Sequence, residues 1–137
     1  MIASNSRRVS SDSTVIRLSV VIPCKNEVAT IGQVLRDLAD QSLPETFEVI
    51  VADGLSNDGT RNVLARFSTV DLPYHLRVVD NPAGTIPAGL NAAVAAANGE
   101  YIVRVDGHCR LSYGYLWILG YSPNFPGLTI PWRPCRL

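Results

Sequence analysis

The chain has 137 residues, a length that suits one domain with one core. Its 47% hydrophobic and 18% charged residues describe a globular protein and exclude a disordered one. Lys+Arg and Asp+Glu both number 12, so the basic excess of a nucleic-acid binder is missing and no nucleic-acid partner is expected. Cys24, Cys109 and Cys135 form no CxxC pair and no zinc spacing, which reads as reduced thiols and points to the cytoplasm. No apolar run approaches the ~20 residues that span a bilayer, so no membrane span is expected.

Residues 1–15 are polar, carry two arginines without an apolar stretch behind them, and read as a disordered arm rather than a signal peptide. From there short apolar runs alternate with helical periods. Leu18–Pro23 is a continuous apolar run, as in a strand buried on both faces. Val28, Ile31, Leu35 and Leu38 then repeat at helical spacing and predict a helix from near Val28 to Gln41. Phe47–Asp53 is a second buried strand, and Asp58-Gly59-Thr60 opens a helix carrying Val63, Leu64 and Phe67.

His75–Asp80 is the third strand. Pro87 stands where a helix tolerates proline, in its first turn, and Asn98-Gly99 stops that helix. Leu90, Val94 and Ala97 are expected to line its buried face, and Glu100–Asp106 is the fourth strand. The order β-α-β-α-β-α-β defines an α/β fold with a parallel sheet and crossover helices. Right-handed crossovers, plus the reversal a ligand crevice needs, predict strand order 3-2-1-4. After Leu116, Pro123, Pro126, Pro131 and Pro134 break both periods, and residues 117–137 read as an irregular tail.

Open parallel sheets bind ligands outside the carboxyl ends of their strands. Those ends read Pro23-Cys24-Lys25-Asn26-Glu27, Asp53 to Thr60, Asp80 to Gly84, and Asp106-Gly107-His108. Any one of them could be a turn or a helix cap, and Asp58 reads that way; four converging on one rim are harder to explain by capping alone. Asp106-x-His108 could hold one divalent cation between carboxylate and imidazole, or could be a plain turn. On the trio alone the turn stands ahead, because Asp-x-His is a weak ligand pattern. His75 has no such context, and Arg77 and Arg104 could pair with carboxylates or meet a phosphate.

The segments PCKNE, ADGLSNDGT and NPAGTIPAGLNAAVAAANGEYIVRVDGH, in that order, resemble the amino-terminal half of family 2 glycosyltransferases of GT-A fold. They are most similar to bacterial exopolysaccharide enzymes of the succinoglycan type. The resemblance spans Leu18 to Leu116, and implies sugar transfer from a nucleotide-diphosphate sugar to a saccharide or lipid-linked acceptor at the inner face of the membrane. It further implies that Pro23, Asn26, Glu27 and Asp53 line the base and ribose pocket. Asp106 and His108 would stand at the Asp-x-Asp position that holds Mn²⁺ or Mg²⁺ on the diphosphate, which brings the metal reading of Asp106 ahead of the turn. His108 replaces the usual second Asp and tilts the preference toward Mn²⁺.

In such enzymes an acidic base and the acceptor site follow the metal motif, yet Cys109–Leu137 holds no Asp or Glu. The chain therefore reads as the donor half, an incomplete and inactive copy. The alternatives are a non-catalytic nucleotide-sugar-binding module and a non-functional fragment whose fourth strand has a bare edge. A dinucleotide-binding oxidoreductase is disfavoured, since PCKNE lacks the Gly-x-Gly-x-x-Gly turn.

Overall fold

A computed structural model describes residues 18–43, 46–121 and 132–133. The predicted arm at residues 1–15 lies outside these residues, as does most of the predicted tail. Along the chain run β1 (Leu18–Cys24), α1 (Ile31–Ala39), β2 (Glu48–Asp53), α2 (Thr60–Phe67), β3 (His75–Asp80), α3 (Ile86–Ala96) and β4 (Tyr101–Arg104). A π-helical turn at Trp117–Tyr121 and a two-residue strand, β5 (Trp132–Arg133), follow.

All pairings are parallel and the sheet order is β3-β2-β1-β4-β5, which contains the expected 3-2-1-4. Register aligns Cys24 with Asp53 and Asp53 with Asp80, so three strands end level on one rim. Val21 aligns with Arg104, and Val105 donates to the Val21 carbonyl at 3.0 Å, which carries Asp106 to the same rim.

Successive strand residues face opposite sides, so each strand serves two layers. Val20, Ile22, Val49 and Val51 pack with Ile31, Val34, Leu35, Leu38 and Leu64 of α1 and α2. Val21, Ile50 and Ala52 pack with Ala93 of α3 on the other side. Fully burying one of these larger aliphatic side chains is worth about 1.5–3 kcal/mol.

Three local expectations are corrected. α1 begins at Ile31, not near Val28, because the N–H groups of residues 26–28 go to the segment after β2, and it ends at Ala39, not Gln41. Val28 is 41% exposed although it keeps the helical period. On α3, Leu90 and Ala97 pack against the sheet as expected, but Val94 does not. Gly89 and Ala93 are buried and Val94 points outward, because the small residues let α3 lie close to the sheet. A Cβ at Gly89 would stand 3.1 Å from Asn81 Nδ2 and 3.3 Å from Pro23 Cβ.

The last correction concerns the fourth strand. It is shorter than Glu100–Asp106, and its edge carries β5, with Ile102 opposite Trp132 and Val103 opposite Arg133.

Candidate functional site

The loops after β1 and β2 are laced together. Asn26 adopts a left-handed backbone (φ 51), a conformation asparagine tolerates better than most residues. Its N–H donates to Ser56 Oγ at 2.7 Å, and its Oδ1 accepts from the Asn57 N–H at 2.9 Å. Glu27 N–H donates to Thr60 Oγ1 at 3.0 Å and Val28 N–H to Asp58 Oδ2 at 3.2 Å. Asp58 also accepts from the Thr60 N–H at 3.0 Å, the turn-and-cap role its sequence context suggests. The Thr60 hydroxyl and backbone N–H hold its carboxyl below the ordinary aspartate value.

Asp53 is fully buried. Its carboxylate accepts from Ser56 N–H at 3.0 Å, Ser56 Oγ at 2.6 Å and Arg61 Nε at 2.8 Å. Arg61 also reaches Asp80, so one guanidinium ties the ends of β2 and β3 together.

Asp106 to Cys109 is a turn, closed by Cys109 N–H donating to the Asp106 carbonyl at 3.2 Å. Its side chains nonetheless face the rim, so the turn and the site coexist. Arg104 Nε donates to Asp106 Oδ1 at 2.9 Å. His108 Nδ1 lies 2.7 Å from Glu27 Oε1. Gly107 lies against the Glu27 carboxylate, which a Cβ there would displace, and its carbonyl accepts from Thr30 Oγ1 at 2.9 Å.

α1 anchors the segment that follows. Asp37 accepts from Arg110 Nε at 2.8 Å and Leu111 N–H at 3.0 Å, while Gln41 accepts from the Leu116 N–H and donates to the Ser112 carbonyl, both at 3.0 Å.

These elements enclose a cavity of ≈ 200 Å³ at the carboxyl ends of β1 and β4, where strand order reverses. Pro23, Cys24, Lys25 and Glu27 form one wall; Arg104, Asp106, Gly107 and His108 form another. Asn81, Gly84, Thr85 and Ile86 close it with the N-terminus of α3, capped by Thr85 accepting from the Ala88 N–H at 3.3 Å. Helix N-termini favour anions. A roomier hollow of ≈ 780 Å³ lies at the opposite end of the sheet, beside His75 and Arg77. Its buried carboxylate, Glu48, is committed to Ser19, Arg77 and Asn98, so size does not identify the site.

Of the residues expected at a site, Pro23, Glu27, Asp106 and His108 line the cavity, whereas Asn26 and Asp53 do not. Asn26 shapes the adjoining loop, and Asp53 sits behind it with its oxygens occupied. Sequence reasoning gave Lys25 no role. It lines the cavity with no hydrogen bond or ion pair among the described residues. The available signal was its place between two strand-exit residues. Cys24 is no nucleophile: burial, then the Glu27 and Asp53 charges, hold its thiol far above the ordinary value.

Among the described residues no three His, Cys, Asp or Glu side chains form a metal cage. With Asp106 Oδ1 on Arg104 and His108 Nδ1 on Glu27, the second Asp106 oxygen and His108 Nε2 remain as donors. One carboxylate and one imidazole are a donor set that fits a divalent ion with other ligands from outside the chain.

The parallel sheet with this rim cavity is the fold of GT-A glycosyltransferases. The glycosyl transferase family 2 profile matches residues 19–118, and the chain belongs to that family. It is 37% identical over 91 residues to the succinoglycan biosynthesis protein ExoA of Rhizobium meliloti, covering 65% of this chain and 27% of that protein. The structure of Staphylococcus aureus TarS 1–349 in complex with UDP-GlcNAc is similar at TM-score 0.64 and 26% identity, over 77% of this chain and 30% of that one. A Pyrobaculum calidifontis mannosyltransferase in complex with GDP-Man and Mn²⁺ is similar at TM-score 0.62 and 30% identity, over 74% and 30%. The chain thus spans about a third or less of the length of these relatives. Among the described residues no helix is long and apolar enough to cross a membrane.

Proposed function

We propose that this chain binds a nucleoside-diphosphate sugar in the rim cavity and provides the donor half of a glycosyltransferase of polysaccharide biosynthesis, working on the cytoplasmic face of the membrane toward a saccharide or lipid-linked acceptor. One observation carries the reading: two strand exits and the α3 N-terminus bring Lys25, Glu27, Asp106 and His108 to a single cavity where strand order reverses. The relatives solved with UDP-GlcNAc and with GDP-Man and Mn²⁺ support it.

Asp106 and His108 would hold Mn²⁺ in preference to Mg²⁺, imidazole being the softer ligand. Such an ion would offset the diphosphate charge and favour departure of the nucleoside diphosphate. Lys25 and the α3 N-terminus face the phosphates. Pro23, Asn26, Glu27 and Asp53 form or brace the base and ribose side, Asp53 acting from behind through the Ser56 loop.

Calorimetry with UDP, GDP and their sugars tests this. Binding in Mn²⁺ that is lost in EDTA is the expected result. Equal affinity in both would overturn the metal assignment, and no binding in either would overturn the reading of the cavity.

A further inference from the structure

We propose that Glu27 is a positioning residue that fixes His108 as its Nδ1–H tautomer and so presents Nε2 to the cavity. The use made of Nε2 rests on the metal reading above; the tautomer can be measured without it.

Glu27 and His108 are 81 residues apart in sequence and 2.7 Å apart in space. A carboxylate can only accept, so the ring nitrogen facing it must carry the hydrogen. A neutral ring then has its lone pair on Nε2, the atom directed away from Glu27. Free histidine in water prefers the opposite tautomer, with hydrogen on Nε2 and no lone pair there for a cation. Carboxylates that receive the second N–H of a metal-binding imidazole act in this way.

The scaffold argues that this contact is built rather than incidental. Glu27 is held through its own backbone. Its N–H bonds Thr60 Oγ1, and its carbonyl takes the N–H groups of Thr30 at 3.1 Å and Ile31 at 3.0 Å at the entry to α1. The carboxylate then rests against Gly107, where a Cβ would push it from this position. Thr30, three residues on, bonds the Gly107 carbonyl and fixes the turn that carries His108. Carboxylate and imidazole are thus placed by two turns locked to each other, with the Glu27 side chain 20% exposed and His108 56%. The outward half of the ring is the half left for a ligand.

The test uses the full chain labelled with ¹⁵N-histidine and two-bond ¹H–¹⁵N correlation spectra at pH 7.5. The chain has two histidines, and His75→Gln, at the far end of the sheet, assigns them. The expected result is an Nδ1–H signature for His108 in the parent chain and a shift toward Nε2–H in Glu27→Ala. Glu27→Gln keeps an acceptor oxygen and should retain the parent tautomer, a rescue that a merely structural role would not produce. An Nε2–H or doubly protonated His108 in the parent chain overturns the proposal, even if Glu27→Ala fails to fold. So does a folded Glu27→Ala with an unchanged spectrum. A parallel Mn²⁺ titration with UDP should show affinity falling roughly tenfold or more in Glu27→Ala, in line with the loss of such supporting carboxylates. A tautomer that moves while Mn²⁺ and UDP binding stays level supports the positioning role and overturns the metal reading it serves.

Discussion

Asp53 and Asp106 both stand at strand exits of one sheet, each followed by glycine, and the sheet puts them to different uses. Asp53 is fully buried and takes three protein donors, two from Ser56 and one from Arg61. Asp106 is 17% exposed, takes one side-chain donor from Arg104, and faces the cavity. The difference is one of coordination. A carboxylate whose lone pairs are filled by the protein organises loops, whereas one with an open oxygen on a cavity can meet a ligand. Position at the rim is necessary for a binding role and does not suffice for it.

The comparison predicts that the two residues fail in different assays. Asp53→Ala removes a buried anion and strands Ser56 and Arg61, and should cost about 3 kcal/mol of folding stability. Arg61 is 42% exposed and can turn to water, which keeps the loss at the low end for such pairs. Asp106→Ala strands only Arg104 and should cost less, about 1 kcal/mol of stability, while weakening Mn²⁺-dependent UDP binding by roughly 100-fold, as loss of one of two protein ligands. Denaturation and calorimetry on both variants check the pair. An Asp53→Ala protein of parent stability, or an Asp106→Ala protein with parent affinity, would break the distinction.

How far the sequence reveals this contrast depends on the range of the interactions. The strands were legible because strands buried on both faces leave unbroken apolar runs, as at Leu18–Cys24 and Glu48–Asp53. The rim followed from the topology. On α3 the outward turn of Val94 was missed because the closest approach is made by Gly89 and Ala93, small residues that carry little hydrophobic signal. The start of α1 was missed because Val28 keeps the period while its N–H goes to Asp58. Which aspartate would be filled was not legible. The deciding partner of Asp53 is Arg61 on α2, and the deciding partner of His108 is Glu27, reached only through the fold.

A smaller effect is expected in acid at two other carboxylates whose oxygens the protein fills, Asp37 and Glu48. Burial would raise the Asp37 and Glu48 carboxyl groups, but hydrogen bonds outweigh it. They come from Arg110 and the Leu111 N–H at Asp37, and from Ser19, the Asn98 N–H and Arg77 at Glu48. Both groups therefore lie below the ordinary range when folded. A depressed carboxylate stabilises the fold fully above its unfolded value of about 4 and loses that contribution as pH falls through the folded value. The urea midpoint should be level from neutral pH to about pH 5 and decline below about pH 4. Asp37→Asn should start lower at neutral pH and decline less steeply in acid. A parent chain whose stability rises on acidification to pH 3 would contradict these networks.

The smallest effect is expected at Lys25, and it sharpens the comparison from the cationic side. Arg61 and Arg104 are each paired with an aspartate, while Lys25 has no acidic partner among the described residues and lines the cavity. Its stem runs past two strand-exit glycines: a Cβ at Gly54 would stand 3.2 Å from Lys25 Cδ, and one at Gly84 3.0 Å from Nζ. The cation is therefore held near the phosphate position proposed beside the α3 N-terminus. Lys25→Gln keeps most of the stem and removes the charge, so the fold should be untouched. UDP affinity should fall roughly three- to tenfold, the size of one partly exposed charge contact, and the gap should narrow at high salt. Uridine, which has no phosphate, should bind both proteins alike. An equal loss of uridine and UDP affinity in Lys25→Gln would mean that this residue shapes the base pocket and leaves the phosphates to other groups.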